Sequence, residues 1–75
     1  MSKQMKRVDA RGEEYPIPLW MAEEGLEEAS SGETVEFVTD MPSIGEVNIP
    51  TLCKQEGYDY EVEKKGADYF FEIHT

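Results

Sequence analysis

The apolar positions of this chain switch between a period of two and a helical period, and the switches mark its elements. Residues 1–3 are expected to fray. Gln4 to Asp9 reads as a short strand with Met5 and Val8 as its apolar members. From Pro16 to Ser30 the period becomes helical. Leu19, Ala22, Leu26 and Ala29 recur at three- and four-residue steps and share one face. Trp20 and Met21 widen that stripe, and Glu23, Glu24, Glu27 and Glu28 take the opposite face. Glu23/Glu27 and Glu24/Glu28 are like-charged pairs, each unfavourable by a few tenths of a kcal/mol. Gly25 adds roughly 1 kcal/mol of propensity cost. This helix therefore relies on packing, and Gly32 supplies its exit.

The second half reads the same way. Thr34 to Thr39 is β-branched and aromatic, which predicts a strand. Asp40-Met41-Pro42-Ser43 ends it and opens a loop reaching Asn48. Pro50 suits a first helical position, with Asn48 or Ile49 near the cap. The second helix runs to about Glu56 and closes at Gly57. Leu52 and Cys53 are expected to face the sheet, with Ile49 and Gln55 marking the helix sides. Tyr58, Tyr60 and Val62 alternate with Asp59, Glu61 and Glu63, the mark of a half-buried strand ending at Lys64. After a turn at Lys65–Asp68, Tyr69, Phe71 and Ile73 alternate with Phe70, Glu72 and His74, completing a hairpin.

The predicted order is β-α-β-α-β-β. Helical crossovers make the first two strands parallel and right-handed. Both helices then cover one face of a four-stranded mixed sheet, giving an α/β (α+β) two-layer sandwich. The other face is left more open, with Phe70 a candidate for it. Seventy-five residues fit a single domain, 1–75, without linkers or repeats. A chain this short buries roughly 60–65% of its unfolded surface, so its core is thin.

Charge and cysteine usage narrow the function. The formal net charge is −10, from 17 Asp+Glu against 7 Lys+Arg. Nucleic-acid phosphates are normally bound by Lys and Arg replacing counterions, so direct nucleic-acid binding is not expected. A basic protein partner is favoured electrostatically, although acidic charge also serves solubility alone. No apolar run is long enough to cross a membrane, and Lys3, Lys6 and Arg7 precede no signal-peptide core. The single cysteine, Cys53, excludes an internal disulfide and agrees with a reducing cytoplasm. One Cys and one His leave no four-ligand zinc set, so no metal or other cofactor is expected. A monomer is expected.

One stretch stands out, Asp9-Ala10-Arg11-Gly12-Glu13-Glu14-Tyr15-Pro16-Ile17-Pro18. It reads as a strand end, a tight turn and a first helical turn. Arg11-Gly12 breaks the strand, and Pro16 and Pro18 pre-set helical φ where N–H groups lack intrahelical partners anyway. Backbone N–H groups and the positive end of the helix dipole then aim near position 15, which suits an anionic group. Tyr15 stands there.

The ordered set of motifs resembles the TusA-like (SirA/YedF-type) sulfur-carrier family. Asp9, Arg11, Gly12, Pro16 and Pro18 match the family's first-helix motif. Gly32-Glu33, Thr39-Asp40-x-Pro42, Ile49-Pro50-x-Leu52-Cys53 and Gly57 follow at matching spacings. The resemblance runs from about Val8 to Ile73. It implies a sheet order of 1-2-4-3 and a small cytoplasmic carrier. Such carriers take sulfur as a persulfide from a cysteine desulfurase, on the Cys of Cys-Pro-x-Pro. They hand it to a sulfurtransferase-type partner, in tRNA thiolation or related sulfur transfer. Tyr15 replaces that Cys. Met41 and Asn48 each replace a typical Asp, and Leu52 a typical Phe.

A phenol cannot carry a persulfide in any ionisation state. Tyr15 is thus a remnant position, a recognition residue for a partner, or a site of phenol chemistry or of an altered residue. The candidate binding residues are Arg11, Gly12, Glu14, Tyr15, Pro16, Pro18 and Trp20. Cys53 is an inert core cysteine or a displaced sulfur acceptor, the latter requiring exposure and an electropositive setting. Glu13 and Glu14 favour the helix dipole, and no nucleophile accompanies them as an acid/base pair. His74 is read as solvent-facing. Three functions stay open: a partner-binding member of a sulfur relay, a carrier using Cys53, and a regulatory binding module without sulfur chemistry. Enzyme activity ranks last.

Overall fold

The structure is a computed structural model and describes residues 5–75. The expectations for residues 1–3 and for Gln4 lie outside the described residues. The elements are β1 (Met5–Asp9), α1 (Ile17–Glu28), β2 (Thr34–Thr39), α2 (Ile49–Glu56), β3 (Asp59–Lys65) and β4 (Asp68–His74). They form one four-stranded sheet of order β1-β2-β4-β3. β1 runs parallel to β2, while β4 is antiparallel to both β2 and β3. This is the two-layer α+β architecture expected from the pattern and the resemblance.

The core lies between the sheet and the two helices. Ala22 and Leu26 of α1 and Ile49 and Cys53 of α2 pack on Val35, Phe37, Phe71 and Ile73. The register explains which strand residues meet them. Val35 pairs with Ile73 and Phe37 with Phe71, so the apolar members of β2 and β4 form continuous rows on one face. Phe37 and Phe71 meet at a tilted 6.2 Å between ring centroids. The opposite face carries Arg7, Asp9, Glu36, Val38, Phe70, Glu72, Glu61 and Glu63, and Phe70 is exposed there as expected. β3 is one sheet edge and β1 the other. Tyr60 packs partly on the core, while Val62 is exposed.

Most boundaries shift by one residue at most, and two departures from the sequence reading are larger. α1 stops at Glu28, not Ser30, because Ser30 turns away: its N–H donates to the Glu33 carboxylate and its carbonyl accepts from the Glu33 N–H. The larger difference is at residues 40–48. Ser43 and Asn48 both have helical dihedrals, so the expected loop is helical and runs straight into α2. Ile44–Asn48 forms a π-helical turn in which the Ile49 N–H reaches back to the Ile44 carbonyl. Pro50 is therefore inside a continuous helical path, with no side-chain cap at Asn48. The wider turn accommodates it, because an α-helical turn would drive its ring against the carbonyl four residues back.

Gly45 explains where that turn sits. An added Cβ would meet Cγ, Cδ1 and Cδ2 of Tyr69 at 2.4, 2.7 and 2.8 Å. The bare backbone thus lies directly on the buried Tyr69 ring, and the Tyr69 hydroxyl donates to Glu46 next door. Gly25 plays a similar part in α1, where its added Cβ would be 2.8 Å from Cγ2 of Val8. Its helix-propensity cost secures close approach of α1 to β1.

Candidate functional site

The turn between β1 and α1 is fixed from its own residues upward. Ala10 extends the parallel pairing, its N–H donating to the Val38 carbonyl at 2.8 Å, and its side chain is buried. Gly12 has φ +82°, a left-handed conformation that costs other L-residues about 1 kcal/mol or more. Its N–H donates to both carboxylate oxygens of Asp40, at 3.1 and 3.2 Å. Asp40 immediately follows β2, so one carboxylate ties the two parallel strand ends together.

Arg11 forms the second tie. Its Nε and Nη2 donate to the two oxygens of Asp9, at 3.0 and 2.8 Å, and its backbone N–H donates to Asp9 Oδ1 at 3.1 Å. Nη1 reaches Asp68, at the start of β4, at 3.4 Å. The fork geometry of guanidinium suits such paired acceptance. These side-chain bonds from Arg11 hold the Asp9 carboxyl below the usual carboxylate range. Asp9, in turn, raises the Arg11 pKa. Two carboxylates, Asp9 and Asp68, pair with the one guanidinium and a third, Asp40, takes the Gly12 N–H, so the ground beneath the turn is net acidic.

The chain then rises to the helix. The Ile17 N–H donates to the Glu14 carbonyl at 2.9 Å, and the Trp20 N–H to the Pro16 carbonyl at 3.1 Å. The Tyr15–Pro16 peptide is cis. Pro16 stands outside the helix as its N-cap, at φ −99° and ψ 12°, so it does not act as a first helical residue. Pro18 is the proline inside the first turn, and it is buried.

The candidate residues therefore divide. Tyr15, 59% exposed, and Trp20, 58% exposed, stand outward with Ile17 beside them. Arg11, Gly12 and Glu14 are exposed along the turn, and Pro16 is half-buried. Pro18 lies in the core and supports the turn from below. Sequence reading named Asp9 and Asp40 as strand ends and family positions, without assigning either a tie. Their role in tying the turn, and that of Asp68, depends on strand ends that are far apart along the chain.

The thiol is elsewhere. Cys53 is fully buried in the core, and burial pushes its pKa up to about 11. A neutral, enclosed thiol is neither nucleophilic nor reachable. The remaining titratable group of note is His74. Its Nε2 lies 3.5 Å from Glu61, its Nδ1 is 3.4 Å from the Thr34 hydroxyl, and Glu72 completes a group whose potential ligand atoms lie within 4.8 Å of one another. Those three side chains could share a cation on the open face. The pairing of β3 with β4 assembles them, which local spacing does not reveal.

Comparison with known proteins agrees with this geometry. The family model described as Sulfurtransferase TusA matches residues 6–74. A candidate sulfur carrier protein of Archaeoglobus fulgidus is 39% identical over 61 residues, covering 80% of this chain and 78% of that protein. The crystal structure of a SirA-like protein from Desulfitobacterium hafniense superposes with a TM-score of 0.76 at 26% identity, covering 96% of this chain and 97% of the other. The match over nearly the whole chain and the shared fold lead to one conclusion: this protein belongs to the TusA family of sulfur carriers.

Proposed function

We propose that this chain acts in a cytoplasmic sulfur relay, such as tRNA thiolation or a related transfer, by binding a relay partner without carrying sulfur on residue 15. The observation that carries this reading is the contrast between the turn and its tip. Asp9, Arg11, Asp40 and Asp68 hold the presenting loop in place, and the group presented is the exposed phenol of Tyr15. Sulfur transfer as a persulfide needs a thiolate, and phenol oxygen offers no sulfur to oxidise or exchange. An exposed aromatic ring with a hydroxyl is instead a common anchor at protein interfaces. The partner is a cysteine desulfurase or a sulfurtransferase-type protein, which would otherwise meet a loaded carrier at this position.

The burial of Cys53 speaks against a displaced sulfur acceptor, because a desulfurase would have to unfold the core to reach it. The test uses intact-mass spectrometry after incubation with a cysteine desulfurase and cysteine. The wild type gains no sulfur, Tyr15→Cys gains one, and immobilised wild type retains purified desulfurase or sulfurtransferase. A sulfur gained by the wild type transfers the role to Cys53. Failure to retain any of these relay proteins removes the relay reading.

A further inference from the structure

The outer side of α1 carries a shallow groove of about 500 Å³ lined by Ile17, Trp20, Met21, Glu23, Glu24 and Glu27. Tyr15, also exposed, precedes Ile17 by two residues in the chain. Ile17 and Trp20 are among the exposed large hydrophobic residues, and they sit together, not scattered. The carboxylates follow on the same helix: Glu23 and Glu27 one turn apart, Glu24 between them. Among the described residues, none of these three joins an ion pair; on α1 only Glu28 does, with Lys6 at 2.9 Å. Like-charged neighbours on one helix oppose its formation, and among the described residues the attraction between Glu24 and Lys6 offsets this only in part. A cationic partner would relieve that repulsion while its apolar side chain covers Trp20.

We propose that this groove docks a basic amphipathic helical segment of a protein partner, with apolar residues on Tyr15, Ile17 and Trp20 and Lys or Arg facing Glu23, Glu24 and Glu27. This deepens the partner-binding reading above, on which it rests. The argument is charge complementarity joined to an aromatic anchor. The acidic row alone would attract any cation, and the aromatic cluster alone would take any apolar surface. Their placement along one helix side selects a segment that has both at helical spacing. The open sheet face supplies the internal control. It carries Glu61, Glu63 and Glu72 too, but there Arg7, Arg11 and Lys65 balance part of the charge, and Lys65 lies over the ring of its exposed aromatic residue, Phe70.

The probe is a fluorescein-labelled amphipathic peptide of leucine and lysine at helical spacing, followed by fluorescence anisotropy against the intact chain. Trp20→Ala is expected to weaken binding about tenfold or more, as loss of a central aromatic anchor does. Glu23→Lys with Glu27→Lys is expected to weaken it about tenfold, and binding falls as salt rises from about 50 to 300 mM. Glu61→Lys with Glu63→Lys changes it less than about twofold. All these positions are exposed, and circular dichroism checks that each variant keeps its fold. Equal losses from the two double reversals would show general charge attraction and overturn the proposal. So would unchanged binding by Trp20→Ala, or equal binding of a leucine–glutamate peptide. The peptide result is independent of desulfurase retention, so this proposal can fail while the relay reading stands.

Discussion

Replacing Gly45 by alanine tests whether the π-helical turn is seated by direct contact with Tyr69. Taken as an isolated helical position, the change should help, since alanine is favoured over glycine by about 1 kcal/mol. The structure reverses the sign. The new Cβ would lie 2.4–2.8 Å from three atoms of the Tyr69 ring, well inside contact distance. Tyr69 is only 5% exposed, and its ring cannot swing into solvent without leaving the core. Overpacking of this kind costs about 1–3 kcal/mol. Displacing the ring also strains the hydroxyl bond to Glu46, and hydrogen bonds to charged groups are worth roughly 1.5–3 kcal/mol, less where solvent reaches them. With the propensity gain subtracted, Gly45→Ala is expected to destabilise by about 1–3 kcal/mol. For a domain of this size that is a fall in Tm of roughly 4–8 °C per kcal/mol. Urea and thermal unfolding by far-UV circular dichroism measure both. Gly45→Ala placed in a Tyr69→Ala background should be neutral or stabilising, because the obstruction is gone. A single variant as stable as wild type, or an equal loss in both backgrounds, would refute the contact argument.

Other consequences follow from groups already placed. Gly25→Ala should fail to deliver the usual helix-propensity gain, because its Cβ meets Val8 at 2.8 Å; urea midpoints against wild type check this. Cys53 should resist dithionitrobenzoate in the native state and react promptly in denaturant, since it is fully buried. Its raised pKa also sets a sign: the unfolded thiol ionises from about pH 8.5, whereas the folded one keeps its proton to about pH 11. Stability from the neutral thiol is thus whole below pH 8.5 and declines as pH rises through that window, and Cys53→Ala should remove that part of the decline in urea titrations. The Asp9 carboxyl is held low by Arg11, so its contribution is present above the usual carboxylate range and lost as pH falls through its folded value. In Arg11→Met, NMR titration should find the Asp9 carboxyl moved upward, towards the ordinary range.

The elements that obey a simple period were legible from the residues alone. The alternation in β4 and the apolar stripe of α1 fixed which faces are buried, because a side chain's direction follows from its step along a strand or helix. The motif set fixed the family and, through it, the strand order. It also identified Tyr15 as the residue replacing the carrier cysteine, since that substitution is local. Three things required the tertiary structure. The helical path through residues 42–50 was hidden because proline and polar residues signal a loop, and the seat of the π-turn on Tyr69 is a contact between residues far apart along the chain. Pro18 passed from surface candidate to core support because burial depends on what packs over the first turn. The ties that hold Tyr15 outward join Asp9, Arg11, Asp40 and Asp68 from three separate strand ends. Charge and spacing name those residues, but the parallel pairing of β1 with β2 and the return of β4 bring them within hydrogen-bond distance.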